Sequence, residues 1–108
     1  MKRLFLIATL LAPNFASAEG YVLGAGRWTC ADVVAAIDSN DTFKVGQIAG
    51  WLMGFWSATT FTRETEFIDI VENAGGRAIL DTTLEQCRTA PPETLLFTLT
   101  QSMISNTG

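Results

Sequence analysis

The sequence predicts an all-α fold, a small bundle of about four helices held together by one disulfide. Apolar residues recur at helical spacing in several segments, and no segment shows the sustained alternation that is typical of a strand. The chain contains only two cysteines, Cys30 and Cys87. In an oxidising compartment, two such cysteines are expected to form one structural bond. A chain of 108 residues is long enough for a single domain.

The first eighteen residues have the layout of a secretory signal peptide. Lys2 and Arg3 supply positive charge, an apolar run follows, and residues 16–18 (ASA) form a small-residue cleavage site. The apolar run is too short to span a bilayer. We therefore expect cleavage after Ala18 and a periplasmic protein, which places both cysteines in an oxidising compartment.

Residues 19–28 are rich in glycine and show no apolar pattern, so they are expected to form a mobile leader. A single helical domain is expected to follow at residues 29–106. Its first helix begins in TCADVVAAIDS, where Thr29 is placed to cap the helix. Asp32 follows three residues later, as in a capping box. Cys30 therefore lies on the first turn of this helix.

The second predicted helix contains an unusual stretch. VGQIAGWLMGFWSATTFT, residues 45–62, carries no charge, and Gly46, Gly50 and Gly54 are spaced four apart. We expect a helix over about residues 43–61. Because apolar residues lie on nearly every side of it, this helix is expected either to be buried on most of its faces or to lie in lipid.

Three observations favour a core helix over a membrane span. A single span at this position would leave Cys87 in the cytoplasm, where it could not pair with the exported Cys30. The residues that follow, RETE, are net negative, whereas a stop-transfer segment has lysine and arginine on its cytoplasmic side. The stretch also includes glutamine, serine and threonine, so its uninterrupted apolar part is short. The chain is therefore not expected to be an integral membrane protein.

The three glycines imply close packing, because glycine costs about 1 kcal/mol relative to alanine inside a helix. Their partner would be another helix of the same chain or the same helix of a second copy, which makes a homodimer through this helix a hypothesis. Two tryptophans and a phenylalanine supply apolar area beside the row of glycines, as interface anchors do. The candidate packing or interface residues are Gly46, Gly50, Gly54, Trp51, Phe55 and Trp56.

The remaining helices are expected in the last third of the chain. ETEFIDIVENAGG predicts a short third helix that ends at Gly75–Gly76, a natural C-terminal cap. A fourth helix is expected from about Arg77 to Arg88. Pro91–Pro92 suit the first turn of a last helix, where the missing N–H is no loss. The inward stripe of that helix would consist of Leu95, Leu96, Leu99 and Met103.

The composition argues against several classes of function. The chain has no histidine, which excludes histidine-based acid–base catalysis and most zinc geometries. Carboxylate pairs such as Glu64 with Glu66 are expected to be solvated surface residues. We therefore expect no catalytic residue, no cofactor and no metal site. Without Lys2 and Arg3, five basic residues face eleven carboxylates, a formal charge of −6, which argues against nucleic acid and anionic lipid as partners.

Three segments carry a resemblance to a known family: RWTC at 27–30, GQIAGWLMGFWSA at 46–58 and LEQC at 84–87. With these segments and a signal peptide, the chain resembles the HdeA/HdeB-type family of small periplasmic acid-stress chaperones. The resemblance implies an all-α bundle of about four helices, a Cys30–Cys87 disulfide and no catalytic site. It also implies a dimer at neutral pH that comes apart on acidification, exposes apolar surface and holds unfolding client proteins in solution.

Acid would change the charge of this chain strongly. Near pH 2 all eleven carboxylates are protonated, which leaves five basic side chains and the amino terminus, so the formal charge of the exported chain would move from about −6 to about +6. Carboxylates paired with Arg63, Arg77 or Arg88 would have a lowered pKa, so their stabilisation would fade as the pH drops. Disassembly would then uncover Trp51 and its aromatic neighbours for clients, while the disulfide limits unfolding.

A periplasmic immunity protein is the alternative from another class. Secreted helical immunity proteins directed against type VI amidases also combine a signal peptide, a helix with GxxxG spacing and a downstream cysteine. Such a protein would bind and block one toxin enzyme through an acidic or aromatic face.

Overall fold

The computed structural model describes residues 20–108; the predicted signal peptide lies outside the described residues. Within them the chain forms four α-helices and no strand, which confirms the all-α class and the small disulfide-linked bundle. A short 3-10 turn at Gly24–Arg27 precedes the helices. The helices are α1 (Cys30–Asp38), α2 (Thr42–Thr60), α3 (Thr65–Thr89) and α4 (Leu96–Ser105).

The start of α1 is capped by two parts of the chain. The Thr29 hydroxyl accepts a hydrogen bond from the backbone N–H of Asp32 at 3.1 Å, as the sequence predicts. The first two N–H groups of the helix donate to the turn before α4: Cys30 to the Thr94 carbonyl at 2.7 Å and Ala31 to the Pro92 carbonyl at 3.0 Å. These N–H groups have no partner inside the helix, so the turn satisfies them.

The prediction for the start of α4 was wrong. Pro91–Pro92 lie in the turn that receives the α1 N–H groups, and α4 begins only at Leu96. Leu95 is the residue before the helix and is 40% exposed, so it does not belong to the inward stripe. Leu96 and Leu99 are buried as expected. The N–H groups at the start of α1 need carbonyl acceptors, and the proline segment supplies them as a turn. This tertiary contact cannot form if the prolines lie in the first turn of a helix.

The α2 helix buries one face and leaves the opposite face exposed. Ile48, Leu52 and Trp56, four residues apart, are its buried residues. At its N-terminus the Asp41 side chain accepts a hydrogen bond from the Lys44 backbone N–H at 3.2 Å. The helix was expected to be buried on most of its faces, and the structure differs because its neighbouring elements cover only one side.

The break predicted at Gly75 is present, but no loop follows it. Gly75 has φ 77° and ψ 166° inside α3, so the helix is kinked there into two halves. A side chain is strained at this φ, which explains the glycine. An added Cβ at Gly76 would lie 2.6 Å from Met53 Sδ, so the second half begins in close contact with α2. The predicted third and fourth helices are therefore the two halves of one kinked element.

The disulfide is part of the buried core. Cys30 and Cys87 are joined with their Cα atoms 5.0 Å apart, and both are buried. The bond ties the first turn of α1 to the second half of α3. The buried apolar cluster around it extends to every helix of residues 20–108 and includes Val33, Leu52, Phe67 and Leu96.

Part of the predicted leader is integrated in this fold. Ala25 and Gly26 in the 3-10 turn are buried. An added Cβ at Gly26 would lie 2.3 Å from the Trp51 ring, so the backbone of the turn rests directly on that tryptophan. The ordered domain therefore begins before residue 29, because the Trp51 ring needs a neighbour without a side chain.

Candidate interaction surface

The three glycines of α2 lie on its exposed side. Gly46, Gly50 and Gly54 are all exposed, and an added Cβ at any of them would have no described residue within 4 Å. The spacing suggested packing against another helix of the same chain or against a second copy. Within residues 20–108, no other helix packs on these glycines. The three glycines therefore face solvent, and each of them still lowers the intrinsic stability of the helix.

Two exposed phenylalanines flank this row of glycines. Phe43 is 74% exposed and Phe61 is 88% exposed. They are 18 residues apart, which is five turns of a helix at 3.6 residues per turn, so they share one face. Gly50 and Gly54 lie within about 20° of the same line. We call the surface formed by Phe43, Gly46, Gly50, Gly54 and Phe61 the glycine face.

Sequence reasoning missed the two phenylalanines as candidate surface residues. Their signal was present, since Phe43 and Phe61 lie near the two ends of the charge-free stretch at a spacing of whole helical turns. It was hidden because aromatic residues at 51, 55 and 56 occupy the other sides of the same helix.

The three aromatic residues predicted beside the row of glycines belong to the other side of α2. Trp51 and Phe55 are half-buried and stack on each other with ring centroids 5.0 Å apart. Phe55 also meets Phe97 edge-on at 5.7 Å. Trp56 is 5% exposed and stacks on Phe67 at 6.1 Å. The structure therefore does not bring these aromatic residues and the glycines together on one surface, and Trp56 is a core residue.

Charged residues stand only at the two ends of the glycine face. Asp41 and Lys44 lie at the N-terminal end of α2, and Arg63 and Glu64 follow its C-terminal end. The Arg63 guanidinium pairs with the Glu64 carboxylate at 3.0 Å and also lies 4.0 Å from the Phe67 ring centroid. The hydrogen bond from Arg63 lowers the pKa of the Glu64 carboxyl. Between the two ends the face is uncharged.

A second ion pair joins α1 to the end of α3. The Arg88 guanidinium donates to the Asp38 carboxylate at 2.6 Å, across fifty residues of sequence. This hydrogen bond lowers the pKa of Asp38 below its ordinary value of 3.8 and raises the pKa of Arg88. The expected pairing of Arg88 with a carboxylate is present, and both side chains lie at the surface.

The Asp38–Arg88 pair predicts a pH-dependent difference between the wild type and Asp38→Asn. Since the folded pKa of Asp38 is lowered, its contribution to stability is present above pH 3.8 and is lost as the pH falls through the folded pKa. The variant should unfold at a slightly lower denaturant concentration than the wild type at about pH 6, and this difference should shrink at about pH 2. Urea titrations at both pH values measure this. A difference that persists undiminished at the lower pH would contradict it.

The described residues offer little for a cofactor or metal. Within residues 20–108, no group of three or more histidine, cysteine, aspartate or glutamate side chains is placed to hold a metal ion. A cleft of about 440 Å³ is lined by Trp28, Asp32, Asp41 and Lys44, among others. Its charged groups include both signs, and Asp41 already caps α2. In the same part of the chain, no helix combines the length and the apolar character that a membrane crossing requires.

Comparison with protein-family models, with curated proteins and with solved structures finds no match for this chain. The function of the protein is therefore inferred from its own residues.

Proposed function

We propose that this is a non-enzymatic, exported, periplasmic protein that binds other proteins through the glycine face and acts as an acid-stress chaperone of the HdeA/HdeB type. The observation that carries the proposal is the exposed, unpacked face of α2 with a phenylalanine at each end. Large apolar side chains that are exposed on one uncharged face of a helix are typical of protein interaction sites. Backbone without side chains between them allows a partner to approach closely.

At neutral pH the occupant of the face is a second copy of the same chain. The pattern is symmetric about Leu52: Phe43 and Phe61 are equidistant from it, and so are Gly50 and Gly54. Two copies of α2 packed antiparallel therefore place Phe43 of each against Phe61 of the other. A two-fold dimer requires a self-complementary surface of this kind.

Charge also favours the antiparallel arrangement. Antiparallel packing brings the end with Asp41 and Lys44 next to the end of the second copy that carries Arg63 and Glu64. Each end therefore presents one positive and one negative side chain to the other. A parallel pair would instead place the two Lys44 side chains together.

The expected dimer is weak. Burying an exposed phenylalanine contributes about 1.5–3 kcal/mol, so four of them contribute about 6–12 kcal/mol. Association costs about 4–15 kcal/mol in lost freedom and ordering. The near balance of these two terms makes the dimer reversible, which a releasable client-binding surface requires.

Acid would dissociate the dimer and expose the glycine face without unfolding the monomer. The Arg63 guanidinium lowers the pKa of the Glu64 carboxyl, and once acid protonates Glu64, Arg63 is left as an uncompensated cation that repels Lys44 of the second copy. Within residues 20–108, the buried polar side chains are the two threonines Thr83 and Thr100, so acid does not charge the core of this region. The disulfide is unaffected by protonation, and the freed Phe43 and Phe61 can take up apolar client segments.

Client protection tests this function. The oxidised protein is mixed with an acid-labile client at about pH 2 to 3, and light scattering follows aggregation. Wild type should suppress scattering, and Phe43→Ser/Phe61→Ser should lose most of this effect. The matched control is Tyr21→Ser/Leu23→Ser, which removes two equally exposed apolar residues away from the face and should protect like wild type. Unchanged client aggregation with the wild type would remove the chaperone function.

The glycines predict opposite effects on stability and on association. Gly50→Ala/Gly54→Ala should raise the free energy of unfolding of the monomer by about 0.5–1 kcal/mol per site, because the added methyl groups meet open space in a helix. The same methyl groups separate the two helices of the dimer, so its dissociation constant should rise about tenfold or more. Thermal unfolding of dilute protein and sedimentation equilibrium measure the two quantities.

A surface control separates these two effects. Ser102→Ala, at an exposed position of α4, should also favour its helix but leave association unchanged. If the wild type sediments as a monomer at every concentration, or if the glycine double variant associates as tightly as the wild type, the glycine face is not the dimer interface.

An immunity protein remains the second proposal, because the exposed face together with an acidic surface also suits one dedicated protein partner. In that case the glycine face would bind and neutralise a secreted amidase-type toxin. Tight binding to such an amidase, with loss of its activity, distinguishes this function from client protection in acid.

A further inference from the structure

The connection between α1 and α2 carries a modification motif. Residues 40–42 read Asn-Asp-Thr. Asparagine, any residue except proline, and then serine or threonine is the acceptor sequence for N-linked glycosylation of exported proteins. Bacterial enzymes of this kind also recognise an acidic residue two positions before the asparagine, and Asp38 occupies that position. Of the four asparagines in the chain, Asn40 is the one with a hydroxyl residue two positions later.

The structure places Asn40 where such an acceptor has to lie, at the surface and outside regular secondary structure. Asn40 is exposed in the short turn between the end of α1 and the start of α2. Its φ is 56°, and it is the single non-glycine residue with positive φ within residues 20–108. Asparagine tolerates this conformation better than most residues. The turn therefore explains an asparagine at position 40, but it places no requirement on residue 42.

The hydroxyl of Thr42 is not used to cap a helix. Asp41 caps α2 instead, because its side chain accepts the Lys44 backbone N–H at 3.2 Å. The side-chain hydrogen bonds of this turn are made by Asp41 and Ser39. Asn40 and Thr42 are both exposed beside them, so the amide and the hydroxyl that the motif needs are open to an enzyme.

We infer that Asn40 is a glycosylation site, which receives an oligosaccharide from a lipid-pyrophosphate-linked donor through an oligosaccharyltransferase. The Asn40 Nδ2 atom forms a bond to the anomeric carbon of the first sugar. The bond between that carbon and the pyrophosphate oxygen breaks, and the lipid pyrophosphate leaves with the electron pair. The amide nitrogen gives one proton to the enzyme. Thr42 supplies the hydroxyl by which the enzyme recognises the acceptor.

A glycan on Asn40 would also affect the glycine face. Asn40 precedes Phe43 by three residues, so the glycan would stand at the end of the face that meets Arg63 of the second copy. A bulky, hydrophilic group at this end hinders antiparallel pairing. The modified chain would therefore associate more weakly than the unmodified one. This consequence rests on the proposed dimer, whereas the site itself does not.

Transfer of a glycan to the purified protein tests the site. The folded, oxidised protein is incubated with a bacterial oligosaccharyltransferase and its lipid-pyrophosphate-linked oligosaccharide, and intact-mass spectrometry follows the product. Wild type should gain the mass of one glycan, and peptide mapping should place it on Asn40. Asn73 and Asn106 are internal controls that should stay unmodified, because they are also exposed but have no hydroxyl residue two positions later.

Three variants complete the test. Asn40→Asp keeps the size of the side chain and its tolerance of positive φ but lacks the nitrogen, so it should gain no mass. Thr42→Ser should be modified like the wild type, and Thr42→Ala should lose most of the modification. Both variants of Thr42 keep the Asp41 cap, so circular dichroism should show the same helix content for the two.

The inference is overturned if wild type gains no mass, if the glycan is found on another residue, or if Thr42→Ala is modified as fast as Thr42→Ser. In the cell, Asn40 meets such an enzyme only if the chain is exported, as we propose. The purified enzyme removes that condition, so failure of this experiment is distinct from failure of export or of client protection.

Discussion

Replacing Cys30 and Cys87 together with alanine is expected to lower the free energy of unfolding by about 4 kcal/mol. The bond closes a loop with a sequence separation of 57 residues, and opening that loop restores its conformational freedom to the unfolded chain. The nine residues of α1 are too few for a stable isolated helix, so its attachment to α3 depends on this bond and on packing. Guanidinium titrations of the oxidised wild type and the double variant measure the difference.

The reduced wild type is the control for that experiment. It has the same side-chain volume as the oxidised protein, so it should lose nearly the same stability as the double variant. Alanine adds a small cavity, which makes the double variant slightly less stable than the reduced wild type. If the oxidised wild type unfolds at the same denaturant concentration as the reduced protein, the bond does not stabilise the fold.

Phe67→Ala is expected to cost about 3–5 kcal/mol, the range for removing a fully buried phenylalanine. Phe67 is 0% exposed, its ring stacks on Trp56, and the Arg63 guanidinium lies 4.0 Å from its centroid. Within residues 65–74, Phe67 is the buried side chain that holds the first half of α3 against the core. Thermal unfolding gives the stability change, and a red shift of tryptophan emission reports the loss of cover over Trp56.

Ile68→Ala provides the matched control, because Ile68 is the next residue on the same helical turn and is 36% exposed. Its loss should cost less than about 1 kcal/mol. Equal effects of the two substitutions would mean that the first half of α3 is not held by Phe67.

Several local features could be predicted because each depends on a few neighbouring residues. The Thr29 cap requires only a hydroxyl at the end of a helix, and the break at Gly75 requires only a residue that tolerates positive φ. The disulfide follows from the presence of two cysteines in a chain expected to be exported. The turn at Pro91–Pro92 could not be predicted in this way, because its carbonyls are used by α1, some sixty residues earlier in the chain.

The candidate site depended on the tertiary structure far more than the helices did. The spacing of Gly46, Gly50 and Gly54 pointed to α2, but a helix that is apolar on nearly every side has no periodicity that selects its inner face. The same uncertainty hid the exposure of Phe43 and Phe61.

The sequence by itself determined the all-α class, the Thr29 cap, the break at Gly75 and the covalent link, since these arise from backbone preferences and from the chemistry of single residues. Only the tertiary structure decided that Ile48, Leu52 and Trp56 face inward and that the glycine face remains open. The physical reason is that burial depends on which partners are within reach. Phe67 stacks on Trp56 and Met53 fits against Gly76, so the helix turns that side to the core and leaves its glycines to solvent.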